Sequence, residues 1–251
     1  MRAGTDDKGF TIQDCTYRLG FQAVSMAADA TSWEQLRPVL VESLPYNSHE
    51  TRKRYVSSLA DWALEGGNLS CLAVRVWRAY KNRELLEQIL RERYLVACPV
   101  LGRFVSHVMC HLDPGETVEN RILADFLNAE HSTYAEKTLV KLRITMRDLG
   151  FLRSMGRNTP PVANDTRLPG SAFLILLHHH LAVQSTTVPV SDILANPFWR
   201  HLGGRAEAEV RSALSLAAAR DVIARYAAVD HLEQVTTRYS LEELLRRQVL
   251  L

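Results

Sequence analysis

Over most of the chain, apolar residues recur three and four positions apart, the spacing that gathers them on one face of a helix. Ile12, Cys15, Leu19 and Ala23 open the pattern, with Gly20 as its weak point, after a polar segment over residues 1–10 that reads as loose. Ser32 with Gln35 has the form of a capping box, and Pro45 closes that region. Asn47 predicts a cleaner helix start, with Glu50 three residues on. That helix turns Tyr55, Leu59, Trp62 and Ala63 inward and stops at Gly66 and Gly67. Leu69 to Leu95 reads as one or two helices with Val74, Trp77, Leu85, Ile89 and Leu90 as the apolar stripe. Its basic complement is Arg75, Arg78, Lys81, Arg83, Arg91 and Arg93. Pro99 to His111 is another buried helix, broken by Asp113, Pro114 and Gly115.

The stretch Glu116 to Val162 then changes character. A short helix to Asn128 and a turn over Ala129 to Thr133 precede a second helix from Tyr134 to Leu149, with Ser132 or Thr133 as its cap. Ala135, Leu139, Leu142, Met146 and Leu149 form its inward stripe, and Gly150 ends it. The outward face is expected to carry Tyr134, Lys137, Thr138, Lys141 and Thr145, with Arg143 and Arg147 beside it. Phe151 to Arg153 reads as a strand, Met155 to Thr159 as a turn and Pro160 to Val162 as an edge strand. This is the order of a winged helix-turn-helix.

Asn164 to Pro169 reads as a linker. Beyond it lie an apolar helix from Ser171 to Val183, a short helix from Val190 to Ala195 and an aromatic turn from Phe198 to Gly204. A helix from Arg205 to Arg220 follows, with Val210, Leu214 and Ala217 inward. Val222 to Ala228 and Leu232 to Thr237 alternate as a hairpin, and Ser240 with Glu243 caps a last helix to Gln248. Helices, hairpin and helix loosely repeat the order of the earlier stretch. The expected architecture is therefore mainly α with small β-hairpins. An N-terminal helical bundle spans residues 1–112, a winged unit 113–168, and a C-terminal helical unit with a hairpin 169–251.

Charge sharpens this picture. The whole chain of 251 residues carries a formal net charge of only +2, so bulk electrostatics exclude a histone-like protein. From Lys137 to Arg167, however, seven Lys and Arg face two Asp, a local excess of +5. Clustered cations of this kind are what phosphate binding requires. Arg52, Lys53 and Arg54 form a second cluster in the first turns of the helix after Asn47, where they oppose the helix dipole.

Catalytic chemistry finds little foothold. The chain has no phosphate-binding Gly-x-x-x-x-Gly-Lys-Ser/Thr loop, no dinucleotide fingerprint and no Gly-x-Ser-x-Gly elbow. Its four cysteines form no C-x-x-C pair, and without a signal-peptide pattern they are expected as reduced, mostly buried thiols in a cytoplasm. His178, His179 and His180 point about 100° apart in a helix and cannot share one ion. His107 and His111 stand four apart, a spacing two metal ligands could use, with Asp113 or Glu116 as third. The most apolar run, Ala172 to Leu177, is far shorter than the roughly 20 residues of a membrane span.

The ordered segments resemble the BrxA family of BREX bacteriophage-resistance systems. The resemblance rests on Asn47 to Tyr55, on Ala124 to Asn128 leading to Lys137 to Leu142, on Leu149 to Leu152 with its basic turn, and on Tyr239 to Leu244. It implies a non-enzymatic, mainly helical protein, NusB-like in part, that binds double-stranded DNA beside other BREX subunits such as a methyltransferase and an ATPase, and it implies no cofactor. The family has also been labelled an inner-membrane protein, which the hydropathy of this chain contradicts. On this reading Lys137 and Lys141 contact phosphates or base edges and Thr138 is a polar reader. Arg143 and Arg147 on the helix, Arg153 and Arg157 on the wing, and Arg52, Lys53 and Arg54 add phosphate contacts. A protein adaptor with dispensable basic faces and a NusB-like RNA binder are the alternatives.

Overall fold

The computed structural model describes residues 16–251 apart from Ser132, Glu136, Arg157, Asn158, Asp230 and His231. Ile12 and Cys15 as helix-face residues, Ser132 as a cap and Arg157 as a wing contact lie outside the described residues. Among those described, the fold is mainly helical with two small antiparallel sheets, and no helix is long and apolar enough to cross a membrane.

The first half is a packed set of helices: α1 (Tyr17–Asp29), α2 (Trp33–Ser43), α3 (His49–Ala63), α4 (Leu72–Tyr80), α5 (Arg83–Ala97) and α6 (Pro99–His107). Helix α1 lies against α2, α3, α4 and α5. Its closest approach depends on Gly20: a Cβ there would stand 2.3 Å from the Trp62 ring. Trp62 is held in place by its Nε1–H, which donates to Thr16 Oγ1 at 2.8 Å. A residue of low helix propensity is thus what lets α3 seat its indole on α1. The cap of α3 is Ser48, one residue later than expected, and its side chain accepts from the Thr51 amide.

Most of the basic complement of α4 and α5 is consumed internally. Arg78 donates to carbonyl oxygens of Ala27, Ala28 and Leu69, the first two at the C-terminal end of α1. Arg91 donates to Leu202 O and covers the Phe151 ring, and Arg93 pairs with Glu65 at 3.1 Å. Arg75 pairs with Glu242 and Arg83 with Glu87. Arg75, Arg78, Arg91 and Arg93 thus tie distant segments together and offer little to a phosphate, whereas Arg83 and Lys81 stay exposed.

The second half contains one topology twice. The first copy runs from residues 115–118 through α7 (Asn120–Glu130) and α8 (Lys137–Asp148) to β1 (Leu152–Arg153) and β2 (Val162–Ala163). β1 pairs antiparallel with β2, and Thr117 bridges to Val162 on the other side of β2. The first helix therefore begins at Asn120 and not at Glu116. The residues before it are drawn out by Val118 N–H to Pro161 O and Ala163 N–H to Glu116 O, both 2.8 Å. The second copy runs from β3 (Thr187–Pro189) through α10 (Val190–Ala195), α11 (Phe198–His201) and α12 (Glu207–Ala219) to β4 (Ile223–Val229) and β5 (Leu232–Thr237). Its strand order is β3–β5–β4, again first strand on last strand and all antiparallel. Strand β3 escaped the sequence reading.

The long helix of each copy ends in the same way. Gly150 (φ +83°) donates to Arg147 O and Phe151 to Met146 O, the paired bonds of a Schellman cap. Asp221 (φ +60°) and Val222 make the equivalent bonds to Ala218 O and Ala217 O. Helix α9 (Gly170–Leu181) precedes the second copy, and α13 (Leu241–Arg246), capped by the expected Ser240–Glu243 box, follows it and packs on α4 and α9. Buried apolar side chains form one contiguous cluster from Ala23 to Leu245. Residues 164–169, expected as a linker, are instead fastened on both sides. Asn164 donates to Gly150 O, Thr166 to Gly203 O, and the Leu168 amide to Glu209 Oε2.

Candidate nucleic-acid interface

Helix α8 is two-faced, but its faces are rotated from the expected ones. Leu142, Met146 and Leu149 are buried as the apolar stripe requires. Thr138 and Thr145 are buried with them, at 0% and 1% exposure. The placement of Thr138 as an outward polar reader is therefore corrected: its side chain points into the protein. Threonine fits here because its methyl group packs like that of valine, although the buried Thr145 hydroxyl has no hydrogen-bond partner among the described residues. Tyr134 and Ala135 precede the helix, which starts at Lys137, and both are half-buried.

The outer face carries Lys137, Val140, Ile144 and Arg147, all exposed, with half-buried Lys141 and Arg143 at its margins. Lys137, Arg143 and the exposed Arg153 on β1 make no ion pair with a described residue. Arg147 stands 3.8 Å from Asp148, whose carboxylate is already bound by Arg18 at 2.6 Å. Arg167 is 85% exposed and 3.7 Å from Asp165. The cations of this region are thus mostly left to solvent, unlike those of α4 and α5.

Between α8 and the β1–β2 hairpin lies a concavity of about 260 Å³. Val140, Arg143, Ile144 and Arg147 line it from the helix, and Ser154, Gly156, Thr159 and Pro161 from the hairpin. Its two guanidinium groups and two hydroxyls can bind the anionic oxygens of a sugar–phosphate chain. Sequence reasoning missed Val140 and Ile144. Their signal was present, since both are apolar and lie off the inward stripe.

The second expected cluster differs. Arg52 is only 19% exposed and pairs with Glu42 at 2.8 Å. Lys53 pairs with Glu50 at 3.2 Å, and the Arg54 guanidinium stands 5.3 Å from the Tyr55 ring centre. The positive charge of Arg52 and Lys53 is locally compensated, and nothing places this cluster next to α8.

The histidines are structural in geometry. His107 ends α6, the backbone turns at Val108, and His111 follows in a separate 3-10 turn, so the two do not share one helix face. Among the described residues no group of three or more His, Cys, Asp or Glu could hold a metal ion. His178 is buried with Nδ1 2.8 Å from Leu174 O. His180 Nε2 is 3.0 Å from Oε1 of the fully buried Glu92. Burial holds His178 and His179 below the usual imidazole range and pushes His201 down to about 4, despite the opposing pull of the Glu92 charge. Burial likewise raises the Cys71 and Cys110 thiols, which keeps them protonated and unreactive.

No protein-family model matches the chain, and no curated protein or solved structure was found to be similar to it.

Proposed function

We propose that this chain is a non-enzymatic double-stranded DNA-binding protein. In this reading the unit of residues 115–163 is a winged helix, α8 is its recognition helix, and the β1–β2 hairpin is its wing. The observation that carries the reading is the contrast in charge use. Arg75, Arg78, Arg91 and Arg93 are spent on carbonyls and carboxylates of the fold, whereas Lys137, Arg143 and Arg153, clustered around α8, make no ion pair with a described residue. An exposed basic face on a nearly neutral chain is the electrostatic footprint of a polyanion site.

The helix enters the major groove with its exposed centre toward the bases, and a sugar–phosphate strand passes along the hairpin edge of the concavity, within reach of Arg143 and Arg147. The second copy of the topology lacks a comparable basic helix. The exposed positions of α12 are mostly uncharged (Ala208, Ser212, Ser215, Leu216 and Ala219), with Glu207 at its start and Arg220 just past its end. That face suits contact with another protein. Together with the resemblance to the BrxA family, this supports a component of a BREX anti-phage system that places other subunits on DNA. Fluorescence anisotropy with duplex DNA, single-stranded DNA and duplex RNA in mutual competition tests the reading. Preference for duplex DNA is expected, and preference for RNA favours a NusB-like RNA binder instead.

A further inference from the structure

This inference rests on α8 as the DNA-facing helix. Val140 is 46% and Ile144 37% exposed, one turn apart on the face that also carries Lys137 and Arg147. With Thr138 and Thr145 turned inward, the exposed centre of that face offers no neutral hydrogen-bonding side chain. What it offers is aliphatic surface ringed by cations. The apolar feature that a major groove presents to such a surface is the C5-methyl group of a pyrimidine, which thymine carries and cytosine lacks unless methylated. We infer that Val140 and Ile144 are specificity-determining residues that pack on pyrimidine C5-methyl groups, giving the protein a preference for thymine-bearing steps under α8.

Charge decides for DNA over an apolar protein partner on this face. A protein seated on Val140 and Ile144 would have to desolvate Lys137 and Arg143, which have no ion-pair partner among the described residues. Duplex DNA brings its own anions to both sides of the aliphatic pair. The contact also supplies sequence preference to a helix with no Asn or Gln on its outer face.

The test compares a thymine-containing duplex with the same duplex carrying deoxyuridine at every thymine, which removes methyl groups and nothing else. A third duplex carries 5-methylcytosine in place of cytosine. Wild type is expected to bind the deoxyuridine duplex roughly fifteenfold more weakly, from about fourfold for each of two lost methyl contacts. Val140→Ala/Ile144→Ala is expected to bind both duplexes alike, with the wild-type salt dependence and an unchanged melting temperature. A gain with 5-methylcytosine extends the contact to that base, and no gain assigns it to thymine. Equal wild-type affinity for the thymine and deoxyuridine duplexes overturns the inference while leaving DNA binding intact. Undiminished discrimination by the double variant overturns it also. Absence of binding to any duplex overturns the DNA reading together with it.

Discussion

Arg18 Nη2 donates to Asp148 Oδ1 over 2.6 Å and so fastens α1 to the C-terminal end of α8. Asp148 sits where the helix dipole disfavours an anion, and Arg18 offsets that cost. The same carboxylate draws charge away from Arg147. Asp148→Asn is expected to lower stability by about 0.5–1 kcal/mol, since Arg18 is largely exposed. It should also raise affinity for duplex DNA about two- to threefold at low salt, by freeing two cations for phosphate. Urea denaturation and anisotropy titrations on the same preparations check both halves.

Gly150 carries the turn from recognition helix into wing. Its φ of +83° is strained for any residue with a Cβ, and that Cβ would meet the Arg91 guanidinium at 3.2 Å. Gly150→Ala is expected to cost about 1–2 kcal/mol in urea denaturation. A loss below a few tenths of a kcal/mol would show that the cap does not hold this geometry.

Acid should unfold the protein through its buried histidines. His201 is held neutral to about pH 4 in the folded chain but titrates near 6.5 when unfolded, and His178 and His179 shift in the same direction. Between those two pH values the unfolded chain binds protons that the folded chain refuses. Stability is therefore full above about pH 6.5 and falls as pH drops toward 4, by about 3 kcal/mol from His201 alone. Urea midpoints from pH 7.5 to 4 measure this. His201→Gln should flatten the profile, and an unaltered profile would mean that His201 is not buried neutral.

Thr138→Val tests the rotated face of α8. A buried threonine contributes no base contact, so affinity and sequence preference should stay within twofold of wild type. A loss of tenfold or more would return Thr138 to the outer face.

Much of the fold was legible in the sequence because it is local. The Ser240–Glu243 box, the Gly150 stop and the hairpin of β4 and β5 are each set by residues within a few positions of one another. What escaped is non-local. Residues 115–118 and β3 are too short to show a period-two pattern despite their β-branched residues, and distant strands supply their partners. Arg78 and Arg91 read as a basic face, yet their partners lie 50 and more than 100 positions away. In the candidate site, periodicity found the helix and its lysines. It misassigned Thr138 because residue type marks threonine as polar, whereas packing decides which side it takes. It overlooked Val140 and Ile144 because apolar residues were expected to face inward.

The most direct test of DNA binding through α8 and its hairpin is duplex affinity measured across salt for wild type and Lys137→Ala/Arg143→Ala/Arg153→Ala. Wild type should bind at low salt with a steep salt dependence. The triple variant should lose affinity on every duplex tested, with the slope reduced by roughly 0.9 for each phosphate contact removed. Failure of wild type to bind at low salt, or a triple variant that keeps both affinity and slope, contradicts the assignment.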